Sequence, residues 1–127
     1  MLKNLFLAAA ISWTFLIAFL CLVQLNNLPS VGISGIDKYV HFTFHFVFTL
    51  LWSIYFCLTQ KKIELQFLIK VLLLSLVYGI VIELIQGTYT ATRKADGFDV
   101  LANFFGAAVS VMVMISYKYL TRIKTKK

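Results

Sequence analysis

Four apolar stretches, at about 5–25, 39–59, 67–85 and 98–120, set the limits on what this chain can fold into. Each approaches the ~20 residues that an α-helix needs to cross a bilayer at ~1.5 Å per residue. Lipid offers no partner for backbone N–H and C=O groups, so a crossing segment of this kind must bond to itself as helix. Of the 127 residues 61% are hydrophobic and only 13% charged, more apolar surface than a soluble fold of this size can bury. The expected fold is therefore all-α: a polytopic membrane protein with four transmembrane helices in one small bundle spanning residues 1–127. The first stretch is too long for a signal-peptide core of ~7–15 residues, and no small-x-small cleavage site precedes Pro29, so it reads as a retained helix.

A net charge of +7 raises nucleic acid as a partner, but the basic residues flank the apolar runs. That placement is the signature of membrane orientation and anionic-lipid contact, and it excludes a nucleic-acid role. Nine of the twelve, Lys3, Lys61, Lys62, Lys70, Lys118, Arg122, Lys124, Lys126 and Lys127, fall on one side of a four-helix topology. Lys38, Arg93 and Lys94 fall on the other. The positive-inside bias then puts both termini in the cytoplasm and turns the loops 26–38 and 87–97 outward. Cys21 and Cys57 would lie near opposite faces of the membrane, far beyond disulfide reach. Trp13 and Trp52 fall away from the expected interfacial belts, so they are expected to pack within the bundle, while most other aromatics face lipid.

Polar residues gather at three helix ends, all on the outer side. The second helix opens "GIDKYVHFTFHF", with Asp37, His41 and His45 at i, i+4 and i+8 on one face. The third closes "YGIVIELIQ", with Gly79, Glu83 and Gln86 at i, i+4 and i+7. The fourth opens "DGFDVLANFFGAAVS", with Asp99, Asn103, Gly106 and Ser110 at i, i+4, i+7 and i+11. A charge inside the membrane costs several kcal/mol at the centre and less towards the interface. Glu83, about one turn below the outer boundary, therefore needs a partner, and His41, Arg93 and Asn103 are the candidates. Ala102, Gly106 and Ser110 make a small-xxx-small ladder for close helix packing, and Gly79 plays the same part on the third helix. Asp96 or Asp99 is placed to cap the fourth helix.

These motifs, "DKYVHF", "IELIQ" and "TRKADGFDVLANFFGA", resemble in order and spacing those of the VanZ-like family of small bacterial membrane proteins. The family is named for a member linked to teicoplanin resistance. The resemblance covers about 36–110 and includes Arg93 six residues before Asp99 and Asn103 four after it. It implies a multi-helix membrane domain with a role at the cell envelope, and it does not imply antibiotic resistance for this chain. His45 departs from the pattern, where relatives are expected to carry an aromatic or apolar residue, and Asp96 stands where Ser or Asp is usual.

Asp37, Lys38, His41, Glu83, Gln86, Arg93, Asp99 and Asn103 are thus the candidate ligand-binding residues. The leading expectation is an envelope protein that binds an amphiphilic ligand or envelope precursor at this outer-leaflet cluster. One alternative is a membrane enzyme in which Glu83 and His41 work as an acid–base pair on a lipid-linked substrate, with Arg93 and Lys94 gripping a phosphate. No nucleophile carries a motif, which weighs against catalysis: Ser34, Thr88, Thr90 and Thr92 are merely available. The other alternative is a structural or partner-binding bundle in which the polar groups are interhelical glue. A His41–His45 zinc site with Glu83 and Asp99 is permitted by spacing, but the pair lacks an HExxH arrangement, and neither metal nor cofactor is expected. Polar residues are scarce in the inner halves, Ser53, Thr59 and Ser75 being the main exceptions, which disfavours transport by a monomer. The expected partners are membrane lipid and an amphiphile, with oligomerisation left open.

Overall fold

A computed structural model of the chain describes residues 1–23, 35–89 and 96–124, with side chains to residue 121. Four helices follow one another: α1 (Leu2–Leu22), α2 (Ile36–Gln60), α3 (Leu65–Tyr89) and α4 (Gly97–Lys124). All four are long and apolar enough to cross a membrane, and no strand occurs among the described residues. The molecule is an all-α four-helix bundle with the architecture of an integral membrane protein. Helices α1 and α3 run one way and α2 and α4 the other. Lys38 at the start of α2 thus meets Asp96 just before α4, while the ends of α1 and α3 meet where Gln86 reaches Cys21.

The helices run past the apolar stretches where local chemistry lets them. The start of α2 takes in Asp37, whose negative charge suits the exposed amides of a first turn. Lys61 closes α2 in the left-handed conformation at φ 53°, and Lys62 pairs with Glu64 at 2.7 Å across the short turn into α3. Beyond Ile85, α3 continues to Tyr89. The Thr88 hydroxyl donates to the carbonyls of Leu84 (3.0 Å) and Ile85 (3.1 Å), satisfying acceptors that a helix end leaves open. Glu83 consequently sits six residues, about 9 Å of helix, inside that end.

Helix α2 is the centre of the bundle and packs against the other three, most extensively against α4. Between α1, α2 and α3 the core is aromatic. Ile17, Cys21, Phe48 and Ile82 are buried with Trp13, Phe44, Trp52 and Tyr78 against them, and the Phe48 and Tyr78 rings stack at 5.3 Å. Towards the other end Leu68, Val111 and Met114 fill the space between α2, α3 and α4. The outward faces, with Phe15, Phe19, Leu84, Phe105 and Tyr117 exposed, are the ones a hydrocarbon solvent would cover.

Lipid is as apolar as leucine, so burying apolar side chains does not by itself hold such helices together. Close backbone approach and hydrogen bonds do. Trp13 Nε1 donates to the Phe44 carbonyl at 3.0 Å, Trp52 Nε1 to Thr14 Oγ1 at 3.3 Å, and the Tyr78 hydroxyl to the Thr14 carbonyl at 2.6 Å. These three bonds tie α1 to its neighbours and place both tryptophans within the bundle, as their positions in the sequence suggested. On α4, Gly106 lies so close to α2 that a Cβ there would overlap the Phe42 carbonyl. Ser110 is fully buried one turn further on, while Ala102 is only half-buried. Cys21 and Cys57 form no disulfide.

Because a main-chain carbonyl cannot step aside, Gly106→Ala should force α2 and α4 apart. We expect a loss of about 1–3 kcal/mol of stability, the usual cost of overpacking, seen as a lower Tm for the detergent-purified protein. An unchanged Tm would mean that the two helices do not approach this closely.

Candidate functional site

Three helices deliver titratable groups to one end of the bundle. The first turns of α2 supply Asp37, Lys38 and His41, the last turns of α3 supply Glu83, and the start of α4 supplies Asp96, Asp99 and Asn103. His41 is at the middle of the group and is 3% exposed. Its Nδ1 lies 3.2 Å from Asn103 Oδ1, an acceptor, so Nδ1 is the nitrogen that carries hydrogen in this contact. Its Nε2 then faces two carboxylates, Glu83 Oε1 at 3.6 Å and Asp99 Oδ2 at 3.8 Å.

The carboxylates are unevenly satisfied. Glu83 Oε2 accepts the Asp96 backbone N–H at 3.2 Å, whereas Glu83 Oε1 and Asp99 Oδ1 have no hydrogen-bond partner among the described residues. At the rim, the half-exposed Lys38 ammonium spans Asp96 Oδ2 at 3.3 Å and Asp99 Oδ1 at 3.7 Å, and it lies 5.8 Å from the centre of the Phe98 ring. Asp96 does three things at once. Its N–H holds Glu83, its Oδ2 meets Lys38, and its Oδ1 accepts the Phe98 N–H at 2.9 Å as the cap of α4. The Phe98 amide holds the Asp96 carboxyl below the usual aspartate range, opposed in part by desolvation and aided by the Lys38 ammonium.

Of the residues singled out from the sequence, Asp37, Lys38, His41, Glu83, Asp99 and Asn103 come together here. Asn103 serves His41 rather than Glu83. Gln86 goes elsewhere: it is 2% exposed, and its Nε2 donates at 2.6 Å to the Cys21 carbonyl, one of the open acceptors at the end of α1. Arg93 and Lys94, with Ser34, Thr90 and Thr92, lie outside the described residues.

His45 parts from His41. It lies one turn deeper, where its Nδ1 meets Ser75 Oγ at 2.8 Å, and both side chains are fully buried. A Ser–His contact is the geometry of an activated nucleophile, but this one is sealed inside the bundle, where it ties α2 to α3. Gly79 makes the room: a Cβ there would come within 2.6 Å of Asn103 Nδ2 and 2.9 Å of His45 Cε1.

Below the cluster the interior stays polar further than expected. Thr49, Ser53, Ser75 and Ser110 are all buried, at 0–1% exposure. Thr49 had drawn no notice in the sequence. Its signal was available as the next step of the series Asp37, His41, His45, Thr49, Ser53, which recurs every four residues.

Comparison with protein-family models, with curated proteins and with solved structures returns no match.

The lowered carboxyl of Asp96 makes a contribution to stability that is complete above its ordinary value near pH ~4. It is lost as the pH falls through the depressed folded-state value. Asn caps a helix nearly as well as Asp but cannot pair with Lys38. We therefore expect Asp96→Asn to melt below wild type at pH 7, and Asp96→Ala lower still. The gap between wild type and Asp96→Asn should narrow on acidification below about pH 4. A gap that is constant from pH 7 to pH 3 would show that the ionised Asp96 contributes nothing to the fold.

Proposed function

We propose that this chain is a VanZ-like integral membrane protein of the bacterial cell envelope. In this reading it binds an amphiphile, such as an envelope precursor, with the polar head at the His41 cluster and the apolar chain beside it. The observation that carries the reading is a groove of about 290 Å³ lined by Lys38, Tyr39, Phe42, Ala102 and Phe105. It is apolar along α2 and α4 and ends at Lys38, whose ammonium reaches Asp96 and Asp99. A second depression of about 320 Å³, lined by Asp96, Gly97, Phe98 and Leu101, flanks the same lysine. An apolar trough that runs into a charged, partly buried cluster suits a molecule with one oily end and one polar end.

Support for the family comes from the way the three motifs meet. Lys38 and His41 come from "DKYVHF", Glu83 from "IELIQ", and Asp96, Asp99 and Asn103 from "ADGFDVLANFF". The positive-inside distribution puts this end of the bundle at the outer leaflet and both termini in the cytoplasm. The 3.6 Å separation of His41 Nε2 and Glu83 Oε1 favours one second reading, proton transfer to or from a bound head group. The third reading, a bundle merely glued by these groups, predicts that no ligand depends on them.

Native mass spectrometry of protein extracted from its own membranes tests binding. Wild type should retain an amphiphile. Ala102→Phe, which fills the groove, and Glu83→Gln, which alters the head site, should each lower its occupancy by about tenfold, the effect of 1.4 kcal/mol. Retention of the amphiphile by both variants would contradict the proposal. With glue alone, Glu83→Gln would be silent and only Glu83→Leu would lower the Tm. Topology is separately accessible: a reporter fused after Lys127 should read as cytoplasmic, and one inserted at residues 90–92 as external. The reverse pattern would put the cluster on the cytoplasmic side.

A further inference from the structure

The inner part of the cluster has the makings of a metal site. One ligand atom each from Asp37, His41 and Asp99 lies within 4.8 Å of the others. Asp37 and His41 are one turn apart on α2, and Asp99 is held against them by the start of α4. A four-coordinate ion with bonds of ~2.1 Å keeps its ligand atoms about 3.4 Å apart, so contraction by up to about 1.4 Å through side-chain rotation would close the site.

Glu83 supplies an independent observation from a third helix. It is 3% exposed, and its Oε1 has no hydrogen-bond partner among the described residues. That oxygen points at His41 Nε2 from 3.6 Å. With Nδ1 turned to Asn103 Oδ1, Nε2 is the ring nitrogen that faces two carboxylates, Glu83 and Asp99. Two carboxylates converging on one ring nitrogen away from water ask for a positive charge between them, a proton or a metal ion. The contact from Asn103 to the far ring nitrogen is the kind of support that fixes a histidine's tautomer for metal binding. Lys38 is the nearby cation, but it approaches Asp99 from the rim and has Asp96 as a closer partner. It can therefore stay on Asp96 while Asp99 serves an ion.

We propose that Asp37, His41 and Asp99, with Glu83 as the fourth ligand, bind one divalent metal ion. One imidazole with three carboxylates suits Zn²⁺ or Mn²⁺ better than a soft ion that prefers thiolate. The site replaces the His41–His45 pairing that spacing alone allowed, because His45 is turned to Ser75 and Asp37 takes its place. It goes beyond the amphiphile reading and does not depend on it, since metal uptake is measured with no amphiphile added.

The experiment uses full-length protein purified in detergent without a polyhistidine tag, stripped with chelator, and titrated calorimetrically with Zn²⁺ alone and with Mn²⁺ alone. Elemental analysis follows after desalting. The expected result is one ion per chain for at least one of the two metals, with a rise in Tm on loading. Asp37→Asn, Asp99→Asn and Glu83→Gln should each weaken that binding at least tenfold. Glu64→Gln, a carboxylate at the other end of the bundle, should leave it unchanged. Where a buried variant does not fold, the half-buried Asp37 carries the decision. Wild type that takes up neither metal stoichiometrically, or a folded Asp37→Asn that binds as tightly as wild type, would overturn the proposal.

Discussion

The constraint on which this structure turns is the need to accommodate buried carboxylates at a depth where water is scarce. Glu83 stands about 9 Å inside the end of α3. A carboxylate there is tolerable only if other elements bring hydrogen-bond donors or positive charge to it. The Asp96 N–H and the His41 ring do so, and they belong to different parts of the chain from Glu83 and from each other. The arrangement of α2, α3 and α4 at this end can thus be read as an answer to one electrostatic problem.

The same problem explains where the small residues fall. Gly106 lets the start of α4 lie directly on the Phe42 carbonyl, which brings Asp99 and Asn103 up to His41. Gly79 leaves space for Asn103 and His45 to lie over α3, one turn below Glu83. Bonds on the far side, from Gln86 to the Cys21 carbonyl and from Trp13 and Tyr78 across the aromatic seam, hold α1 against the other face of α2 and α3. Packing and site are therefore one construction. The two oxygens with no hydrogen-bond partner among the described residues, Glu83 Oε1 and Asp99 Oδ1, face the place where a ligand or ion would contribute most.

Much of this was legible in the sequence because membrane helices obey a narrow set of rules. The length of the apolar runs determined the number of helices, and the four-residue spacing of Asp37 and His41 put them on one face. The depth shared by Asp37, Glu83 and Asp99 suggested that they meet. Details that depend on three-dimensional direction were not legible. Nothing in "IELIQ" says that Glu83 turns to His41 while Gln86, three residues on, turns to α1. Nor does the spacing of His41 and His45 reveal that Ser75 claims the second histidine. The far end of α3 also ran past the apolar stretch, where the Thr88 hydroxyl satisfies its carbonyls, whereas the Asp96 cap of α4 was among the two that the sequence offered.

Central to the account is that His41 and Glu83 answer one another across the α2–α3 interface. A double-mutant cycle in chelator-treated protein, using His41→Leu and Glu83→Leu and reading unfolding free energy, measures that coupling directly. The account predicts an interaction energy of about 1 kcal/mol or more. It also predicts a double variant no less stable than the weaker single one, because removing both partners leaves no stranded charge. Strict additivity, with each substitution costing the same whether or not the other is present, would contradict it.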